Sequence, residues 1–382
     1  MSVEGSDASG NLLQLFPWVF QRASPTVDEY DSVLDEAAIL AFRQVDFLPV
    51  LRARKVTGRL HGLDLFRVLR ETKDFGFQHL MGRKIADVCK ERVGLLGVKD
   101  SLRSLLDAML TTAVGHACIV EDQELMATVS LRDIIRYATS LGTSTGVQVA
   151  DLANPTISLP SDATVSELLD LMVSKRVRRI VVEAEGGKVA DDRCVVEHAF
   201  SDEGLAVLRD RPDDFFKLPL GNLPLREASS IDGRADVAEA WEAILKSPAE
   251  CLLVDGKIVT PWDLVIRLYS LGKFPGVRES FGDVVARCFE TTLRGILGET
   301  GSEAVLLKLE TAFALTTSEI CSKAAEFPEI LAQVLGPAGP VVQRSFLRGL
   351  YSEIRIPLKP YSEFKEALNY AKERFEASVK LR

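Results

Sequence analysis

Apolar residues in the first 270 positions of the chain recur in a repeated order. The order is clearest near the end of that region, where residues 237–245 carry apolar side chains at helical spacing. Two short apolar segments follow, 251–254 and 257–259, on either side of an Asp-Gly pair typical of a tight hairpin. With an extended stretch before this helix and a second helix opening at Thr260, the pattern predicts a β-α-β-β-α unit.

The same order is predicted three more times upstream, with different loops. Copy 1 has a helix over 28–42 and strands over 47–50 and 56–60. Copy 2 has a helix face of Leu102, Leu105, Leu106 and Met109, then strands over 116–120 and 125–129. Copy 3 has a helix face of Val165, Leu168, Leu169 and Met172, then strands over 179–182 and 194–199, with the hairpin enlarged by 184–193. This recurrence predicts one supersecondary unit used four times.

A short motif opens the second helix of each copy. Three of the motifs end in an aspartate, whereas the third along the chain has a glycine at that position. The motifs are His61-Gly-Leu-Asp64, Ser130-Leu-Arg-Asp133, Ser201-Asp-Glu-Gly204 and Thr260-Pro-Trp-Asp263. Their last residues are 69, 71 and 59 residues apart, a spacing typical of an internal repeat.

These units resemble CBS domains, β-α-β-β-α repeats of about 60 residues that end in Gly/Ala-x-Val-Thr-x-x-Asp. In that family two copies pack into a Bateman module, and the clefts between copies hold adenine nucleotides or related ligands. The resemblance implies an α/β fold with two Bateman modules, followed by an all-α C-terminal domain. The predicted boundaries are a flexible N-terminus at 1–11, module 1 at 12–140 (copies at about 12–73 and 84–140), module 2 at 147–270 (copies at about 147–210 and 220–270) and a helical domain at 278–382.

The motif residues have two readings, one structural and one functional. Thr260 or Ser130 can cap a helix, and Asp263 or Asp133 in the first turn suits the helix dipole. A helix N-terminus can equally bind a phosphate, while the aspartate accepts hydrogen bonds from ribose hydroxyls. The resemblance favours the ligand reading for both pairs and leaves Asp64 as a weaker candidate, because His61 replaces the hydroxyl.

Two further arginines are candidate ligands. Arg178 and Arg179 begin the first hairpin strand of copy 3 and could neutralise a phosphate, or they could simply be a solvated strand start. The implied ligand is AMP, ADP or ATP as a regulatory molecule, with no cofactor required.

Composition favours a soluble, cytoplasmic, non-catalytic protein without a membrane span. The chain is 47% hydrophobic and 26% charged, and its six cysteines show no Cys-x-x-Cys spacing, so they are expected to be core thiols. The common nucleophile, P-loop and zinc-hydrolase motifs do not occur in the sequence, which has only four histidines. An apolar patch over residues 12–20 is expected to dock onto copy 1.

Charge is segregated along a chain whose net charge is −9. Residues 51–92 hold 11 basic and 5 acidic side chains, and residues 341–382 hold 9 and 5. These regions are either solvated surfaces or two phosphate-contacting surfaces for a large anionic partner, most plausibly RNA. The candidate RNA contacts are Arg52, Arg54, Lys55 and Arg59 on one hairpin and Lys372 and Arg374 on the last helix.

The predicted function is a regulator whose CBS modules sense an adenine nucleotide and position the helical domain on a macromolecular partner. An alternative is a ribosome-associated translation inhibitor or hibernation factor, because the chain resembles archaeal multi-CBS proteins of that type in having CBS repeats and a small appended domain. A DNA-binding transcription regulator ranks below both. A homodimer through the CBS modules is a further expectation.

Overall fold

The computed structural model describes residues 11–43, 45, 47–89, 93–183, 186–277, 281–357 and 363–380. The chain divides into two compact units, Met1–Val277 and Arg278–Arg382. Within the first unit, four successive strand-helix-strand-strand-helix runs follow one another, and we number them runs 1 to 4.

Runs 1 and 2 occupy the first half of the first unit. Two short helices, α1 (Leu12–Leu15) and α2 (Pro17–Gln21), come before them. Run 1 consists of β1 (Val27–Asp28), α3 (Val33–Arg43), β2 (Phe47–Arg52), β3 (Lys55–His61) and α4 (Gly62–Phe75). After the short helices α5 (Phe77–Gly82) and α6 (Ile85–Val88), run 2 consists of β4 (Gly94–Gly97), α7 (Leu102–Thr112), β5 (His116–Glu121), β6 (Glu124–Ser130) and α8 (Leu131–Ser140).

Runs 3 and 4 occupy the second half. The short elements α9 (Val149–Leu152) and β7 (Asn154–Pro155) precede run 3, which consists of β8 (Ser158–Pro160), α10 (Val165–Lys175), β9 (Arg179–Glu183), β10 (Lys188–Asp191) and α11 (Asp192–Ala199). After α12 (Asp202–Asp210), α13 (Pro212–Phe216) and β11 (Arg226–Glu227), run 4 consists of β12 (Ser229–Ser230), α14 (Val237–Lys246), β13 (Leu252–Val254), β14 (Lys257–Val259), a π-helical turn (Asp263–Arg267) and α15 (Leu268–Ser270).

Neighbouring runs exchange short segments. Runs 1 and 2 share one six-stranded sheet, in the order β1-β2-β3-β6-β5-β4. In the second half, β7 precedes run 3 but pairs with β14 of run 4, and β11 precedes run 4 but pairs with β10 of run 3. Four antiparallel bridges show the same exchange, Asn11 with Ser101, Ser32 with Lys84, Gln148 with Asp236 and Thr164 with Pro219. Run 1 is thereby paired with run 2, and run 3 with run 4.

Two hydrophobic cores join the pairs crosswise. One core combines buried residues of runs 1 and 3, and the other combines runs 2 and 4. At the contact of α4 with α11, a Cβ on Gly62 would lie 2.6 Å from Asp192 Oδ2, so a larger residue there would force the two helices apart. The two pairs therefore pack against each other within one chain.

The hairpin turns follow from the sequence as predicted. Asp122 and Gln123, and likewise Asp255 and Gly256, have positive φ angles between 49° and 76°. Successive positive φ angles are those of a type I′ turn, whose twist matches that of the flanking strands.

Run 3 differs from the prediction. Residues 194–199, predicted as a strand, lie in α11, and the second hairpin strand is β10. A short apolar segment such as Cys194-Val-Val does not distinguish a buried strand from a buried helix, and the Asp191 carboxylate caps this one by accepting a hydrogen bond from the Cys194 N–H at 2.8 Å.

The N-terminal patch was also placed wrongly. Leu12, Phe16 and Val19 are fully buried in the core that combines runs 2 and 4, not against run 1. The backbone N–H of Leu12 donates to the Asp100 carbonyl at 2.9 Å, which fixes α1 on run 2. In run 1 itself, the predicted helix over 28–42 begins later, at Val33, because residues 27–28 form β1.

The second unit is all-helical. Its helices are α16 (Phe281–Phe313), α17 (Phe327–Leu335), α18 (Gly339–Glu353) and α19 (Phe364–Lys380). Gly298 interrupts α16 with a φ of 72°, as its place between predicted helices suggests. Phe289 packs edge-on against Phe327 and Phe346, with ring centroids 5.2 and 5.6 Å apart, at the centre of this core. The prediction of a helical C-terminal region is confirmed for the described residues.

Candidate functional site

The second hairpin strand of each run ends where a helix begins. The residues at these junctions are His61, Ser130, Asp191 and Thr260, which are 69, 61 and 69 residues apart. The predicted spacing was therefore wrong in run 3, because Gly204 belongs to the additional helix α12. The residue of run 3 that corresponds to Asp133 is Cys194, so this junction has no carboxylate at that position, although Asp192 lies in the same first turn.

Asp133 is almost completely enclosed by hydrogen-bond donors. Its Oδ1 accepts from Arg22 Nη1 at 2.9 Å and Trp18 Nε1 at 3.4 Å, and its Oδ2 accepts from Arg22 Nη2 at 2.8 Å. The same Oδ2 accepts from the Ser130 N–H at 2.9 Å and the Ser130 hydroxyl at 2.7 Å. Burial by itself would raise the pKa of Asp133, but the hydrogen bonds from Arg22 and Ser130 outweigh it and hold the pKa below its ordinary value.

Asp263 has the same position in run 4 and a different set of partners. Its Oδ2 accepts from the Thr260 N–H at 2.9 Å and the Thr260 hydroxyl at 2.7 Å. Its Oδ1 accepts from Asn154 Nδ2 at 2.7 Å, and Arg267 Nη1 lies 3.6 Å away. Arg267 also donates to Asn154 Oδ1 at 2.9 Å, which orients the amide so that its NH₂ faces the carboxylate.

Asp64 occupies this position in run 1. Its Oδ2 accepts from the His61 N–H at 3.0 Å, and its Oδ1 accepts from Arg67 at 3.3 Å. His61 acts as the cap in place of a hydroxyl residue, because its Nδ1 accepts from the Leu63 N–H at 3.2 Å. Its ring lies 5.8 Å from that of His116 in the interior between runs 1 and 2.

At three junctions the acidic residue is reached by a side chain from the segment that precedes the partner run in the pair. Arg22 reaches Asp133, Asn154 reaches Asp263, and Arg226 Nε lies 3.4 Å from Asp191 Oδ2. Sequence reasoning missed all three. Asn154 lies five residues after the start of α9, whereas Arg22 lies ten residues after the start of α1. The difference is the five-residue helix α2, which is inserted before Arg22 and hides the correspondence between Arg22 and Asn154.

Arg178 and Arg179 lie in ion pairs within the protein, rather than at a solvated strand start. Arg178 forms a two-pronged pair with Asp192, at 2.8 and 3.1 Å. Arg179 donates to the Ala249 carbonyl at 2.9 Å and lies 3.7 Å from Glu250. A phosphate would have to compete with these carboxylates for both side chains.

Glu250 is the centre of a larger charged cluster that was not predicted. Arg132 of run 2 lies 2.5 Å from its Oε1, and Arg193 of run 3 lies 3.0 Å from its Oε2. Arg179, Arg193 and Glu250 have side chains that are only 11–12% exposed. One carboxylate of run 4 thus holds arginines from two other runs.

The basic hairpin of run 1 is partly neutralised. Arg52 pairs with Glu29, and Arg54 lies 3.9 Å from Glu124 on the neighbouring hairpin of run 2, where Lys55 is also paired in the sheet with Glu124. Arg59 is buried, with 7% of its surface exposed, so its prediction as an RNA contact was wrong.

The two C-terminal candidates both lie on α19. Lys372 is 3.9 Å from Glu376 one turn further along, and the guanidinium of Arg374 lies 5.4 Å from the ring centroid of Tyr370. Both contacts are local to this helix, as expected for a solvated helix face, and they leave the RNA hypothesis as a prediction.

Comparison with protein families gives a match within run 3 and the segments around it. Residues 149–190 match the family model of the CBS domain. This segment is therefore similar to a CBS domain. The match covers the region from α9 to β10, and no curated protein is similar enough in sequence to be matched to the chain.

Solved structures show a likeness over a larger part of the chain. The protein MJ1225 from Methanocaldococcus jannaschii, described as a proposed archaeal homologue of g-AMPK, shares 16% identity at a TM-score of 0.60, over 68% of this chain and 99% of that one. A conserved protein from Pyrococcus horikoshii shares 15% identity at a TM-score of 0.42, over 64% and 96%. CBSX2, solved in complex with AMP, shares 19% identity at a TM-score of 0.28, over 33% and 98%. Only the first of these three likenesses exceeds a TM-score of 0.5, and it shows a shared fold.

The described residues show neither a membrane-spanning helix nor a metal site. Among the described helices, none combines the length and apolar character needed to cross a membrane. The described residues also contain no group of three or more His, Cys, Asp or Glu side chains that could hold a metal ion.

Proposed function

We propose that this protein is a non-catalytic regulator that binds an adenine nucleotide at Thr260 and Asp263, and that the bound nucleotide controls its interaction with a macromolecular partner. The observation that carries this proposal is the Asp263 carboxylate. It is held at the end of β14 in a CBS-like fold, with three hydrogen bonds from Thr260 and Asn154. A carboxylate offers about four acceptor positions, so one remains for a ribose hydroxyl.

The surrounding chemistry suits a phosphorylated nucleoside. The helical residues that follow Thr260 present the positive end of a helix to a ligand that lies over the strand end. A ribose hydroxyl would donate to Asp263 Oδ1, replacing or joining the Asn154 amide, while the phosphate would lie toward the helix amides. The side chains involved bind and orient a ligand, and none of them is arranged as a nucleophile with a base.

We further propose that runs 1 to 4 are four CBS repeats that form two Bateman modules, at 12–140 and 147–270, with an output domain at 278–382. The reciprocal exchange of short segments supports this pairing, because it links run 1 to run 2 and run 3 to run 4. The modules pair within one chain, which makes a homodimer unnecessary for completing either core.

Calorimetric titration of the full chain with AMP, ADP and ATP tests the nucleotide site. We expect Asp263→Asn to weaken the binding of the preferred nucleotide about 10- to 150-fold, the effect of losing one hydrogen bond to a charged group. The 2′-deoxy form of that nucleotide should bind the unaltered protein more weakly by a similar factor. Asp213→Asn, which removes a carboxylate from the exposed first turn of α13, is the matched control. Equal affinity of Asp263→Asn and the unaltered protein would refute the site.

A second candidate function is a ribosome-associated translation inhibitor. The observation that favours it is the exposure of two hairpin cations, since Arg54 is 85% and Arg52 61% exposed. Co-sedimentation with ribosomal subunits at low and high salt tests it, using the double variant Arg52→Glu and Arg54→Glu. Arg211→Glu, at an equally exposed arginine, is the control. Failure to sediment with either subunit at low salt would exclude this function.

A further inference from the structure

We infer that Arg22 is a built-in ligand of Asp133, so that the junction of run 2 does not bind a nucleotide while Arg22 remains in place. This inference rests on the proposed function and deepens it, because it says which of two similar junctions binds. Asp133 and Asp263 occupy the same position in their runs, and both are buried, at 1% and 4% exposure. What distinguishes them is the side chain that reaches each carboxylate from the preceding segment.

The two carboxylates differ in how many acceptor positions are already used. Asp133 accepts five hydrogen bonds, two of them from Arg22, two from Ser130 and one from Trp18. Asp263 accepts three, two from Thr260 and one from Asn154. With about four acceptor positions on a carboxylate, Asp133 is saturated and Asp263 is not.

Arg22 and Asn154, the side chains that reach the two carboxylates, also differ in how strongly they are bound there. The guanidinium of Arg22 forms a two-pronged, charge-assisted pair, which is stronger than a single hydrogen bond from a neutral amide such as Asn154. A ribose hydroxyl that displaced Arg22 would exchange this ion pair for neutral donors in a buried place. The same exchange at Asp263 replaces one neutral donor by another.

The segment that carries Arg22 is anchored on both sides of this residue. Its Nη2 also donates to the Thr128 carbonyl at 2.9 Å, and the Ser24 hydroxyl lies 3.2 Å from that of Thr128. On the other side, Val19 and Phe16 are fully buried in the core of runs 2 and 4. The segment therefore cannot withdraw Arg22 by a local movement alone, because both of its ends are anchored.

A reciprocal exchange of the side chains at Arg22 and Asn154 tests the inference. Arg22→Gln gives Asp133 a neutral amide like that of Asn154, and we expect this variant to bind one more nucleotide per chain than the unaltered protein. Asn154→Arg gives Asp263 a guanidinium, and we expect it to bind one fewer. Stoichiometry is measured by calorimetric titration with AMP and, separately, with ATP, after circular dichroism has shown that each variant is folded.

Arg136→Ala is the matched control for charge. Arg136 lies 3.7 Å from Asp133 Oδ1, too far for a hydrogen bond, so its removal deletes a cation beside the carboxylate without opening an acceptor position. We expect its stoichiometry to equal that of the unaltered protein. In the double variant Arg22→Gln, Asp263→Asn, the binding that remains should disappear when Asp133→Asn is added.

The outcomes separate this inference from the proposed function. If Arg22→Gln binds no more nucleotide than the unaltered protein, or if Asp133→Asn alone removes a binding event, the inference is wrong. If the unaltered protein binds neither AMP nor ATP, the proposed function is wrong. Should the Arg22→Gln variant fail to fold, the Asn154→Arg variant still decides, since unchanged binding there would show that a guanidinium does not close such a junction.

Discussion

At the scale of single residues, buried carboxylates carry the most chemical information in this molecule. Burial, together with the nearby carboxyl groups of Asp31 and Asp35, raises the pKa of Glu36, in the first turn of α3, to about 7. The ordinary value is 4.5, so a proton is bound more tightly in the folded state than in the unfolded state. Ionisation of Glu36 between these pKa values therefore lowers stability as the pH rises.

Replacing Glu36 by glutamine should remove this loss. We expect Glu36→Gln to gain about 1–3 kcal/mol more stability over the unaltered protein at pH 8 than at pH 4, because glutamine stays neutral throughout. Urea unfolding at both pH values measures the difference. Glu167→Gln is the sign control, since hydrogen bonds from Thr164 lower the pKa of Glu167 and its effect should run in the opposite direction. A pH-independent effect of Glu36→Gln would contradict the prediction.

The junction residues also show what a sequence can reveal at this scale. Ser130 with Asp133, and Thr260 with Asp263, are three residues apart, so their pairing is visible as a local motif. Arg22 is 111 residues from Asp133, and Asn154 is 109 residues from Asp263. Such pairs depend on how distant runs are brought together, and no local spacing encodes them.

At the scale of elements, Asp236 links α14 to the connection between runs 2 and 3. Its carboxylate caps the helix through the Ala238 N–H and also accepts from the backbone N–H groups of Thr145 and Gly146 and from the Ser144 hydroxyl. Burial tends to raise the pKa of Asp236, but these hydrogen bonds lower it to about 2. Its stabilising contribution is present above the ordinary value of 3.8 and is lost as the pH falls through about 2.

Removing this cap should therefore have a pH-dependent effect. We expect Asp236→Ala to cost about 1–2 kcal/mol at pH 7, the range of a lost helix cap, and to cost progressively less between pH 4 and pH 2. Thermal unfolding across that pH range provides the measurement. The control is Asp232→Ala, which removes a single exposed hydrogen bond to the Arg234 N–H. An equal cost for the two variants at pH 7 would contradict this role for Asp236.

Elements were predictable where helical spacing was clear. In run 2 this spacing indicates α7, and the structure confirms the helix and adds Ser101 as its cap. In run 3 only the apolar character of residues 194–199 was used, and it was wrong because the capping aspartate that precedes them was not considered. A carboxylate immediately before an apolar segment is the signal that would have identified α11.

At the scale of the whole first unit, Glu250 connects three runs through one carboxylate. Replacing it by glutamine removes the anion that Arg179 and Arg193 share in a place where both are nearly buried, and leaves Arg193 with Asp191 at 3.7 Å. We expect Glu250→Gln to cost about 3–5 kcal/mol of unfolding free energy, as when one partner of a buried ion pair is removed. Urea unfolding measures this cost, and Glu242→Gln, in an exposed pair with Lys246, should cost less than about 1 kcal/mol. Similar small costs for both would show that the cluster does not hold the runs together.

The overall arrangement was only partly accessible from the sequence. Repetition of a β-α-β-β-α pattern indicates the unit and its approximate number of copies, since each copy carries its own local signals. It does not indicate that helices of run 1 pack on those of run 3, because one apolar helix face resembles another. This packing requires a small residue at position 62, but the sequence alone does not show that Asp192 lies beside Gly62.

The crosswise cores also affect how the chain can fold during its synthesis. Since each core combines the first half of the unit with the second, a nascent chain that ends near residue 140 has neither core complete. Its helices α4 and α8 then present apolar faces to solvent until residues up to about 274 have been added. Termination of the chain in this region is therefore expected to leave aggregation-prone fragments, because neither core can close.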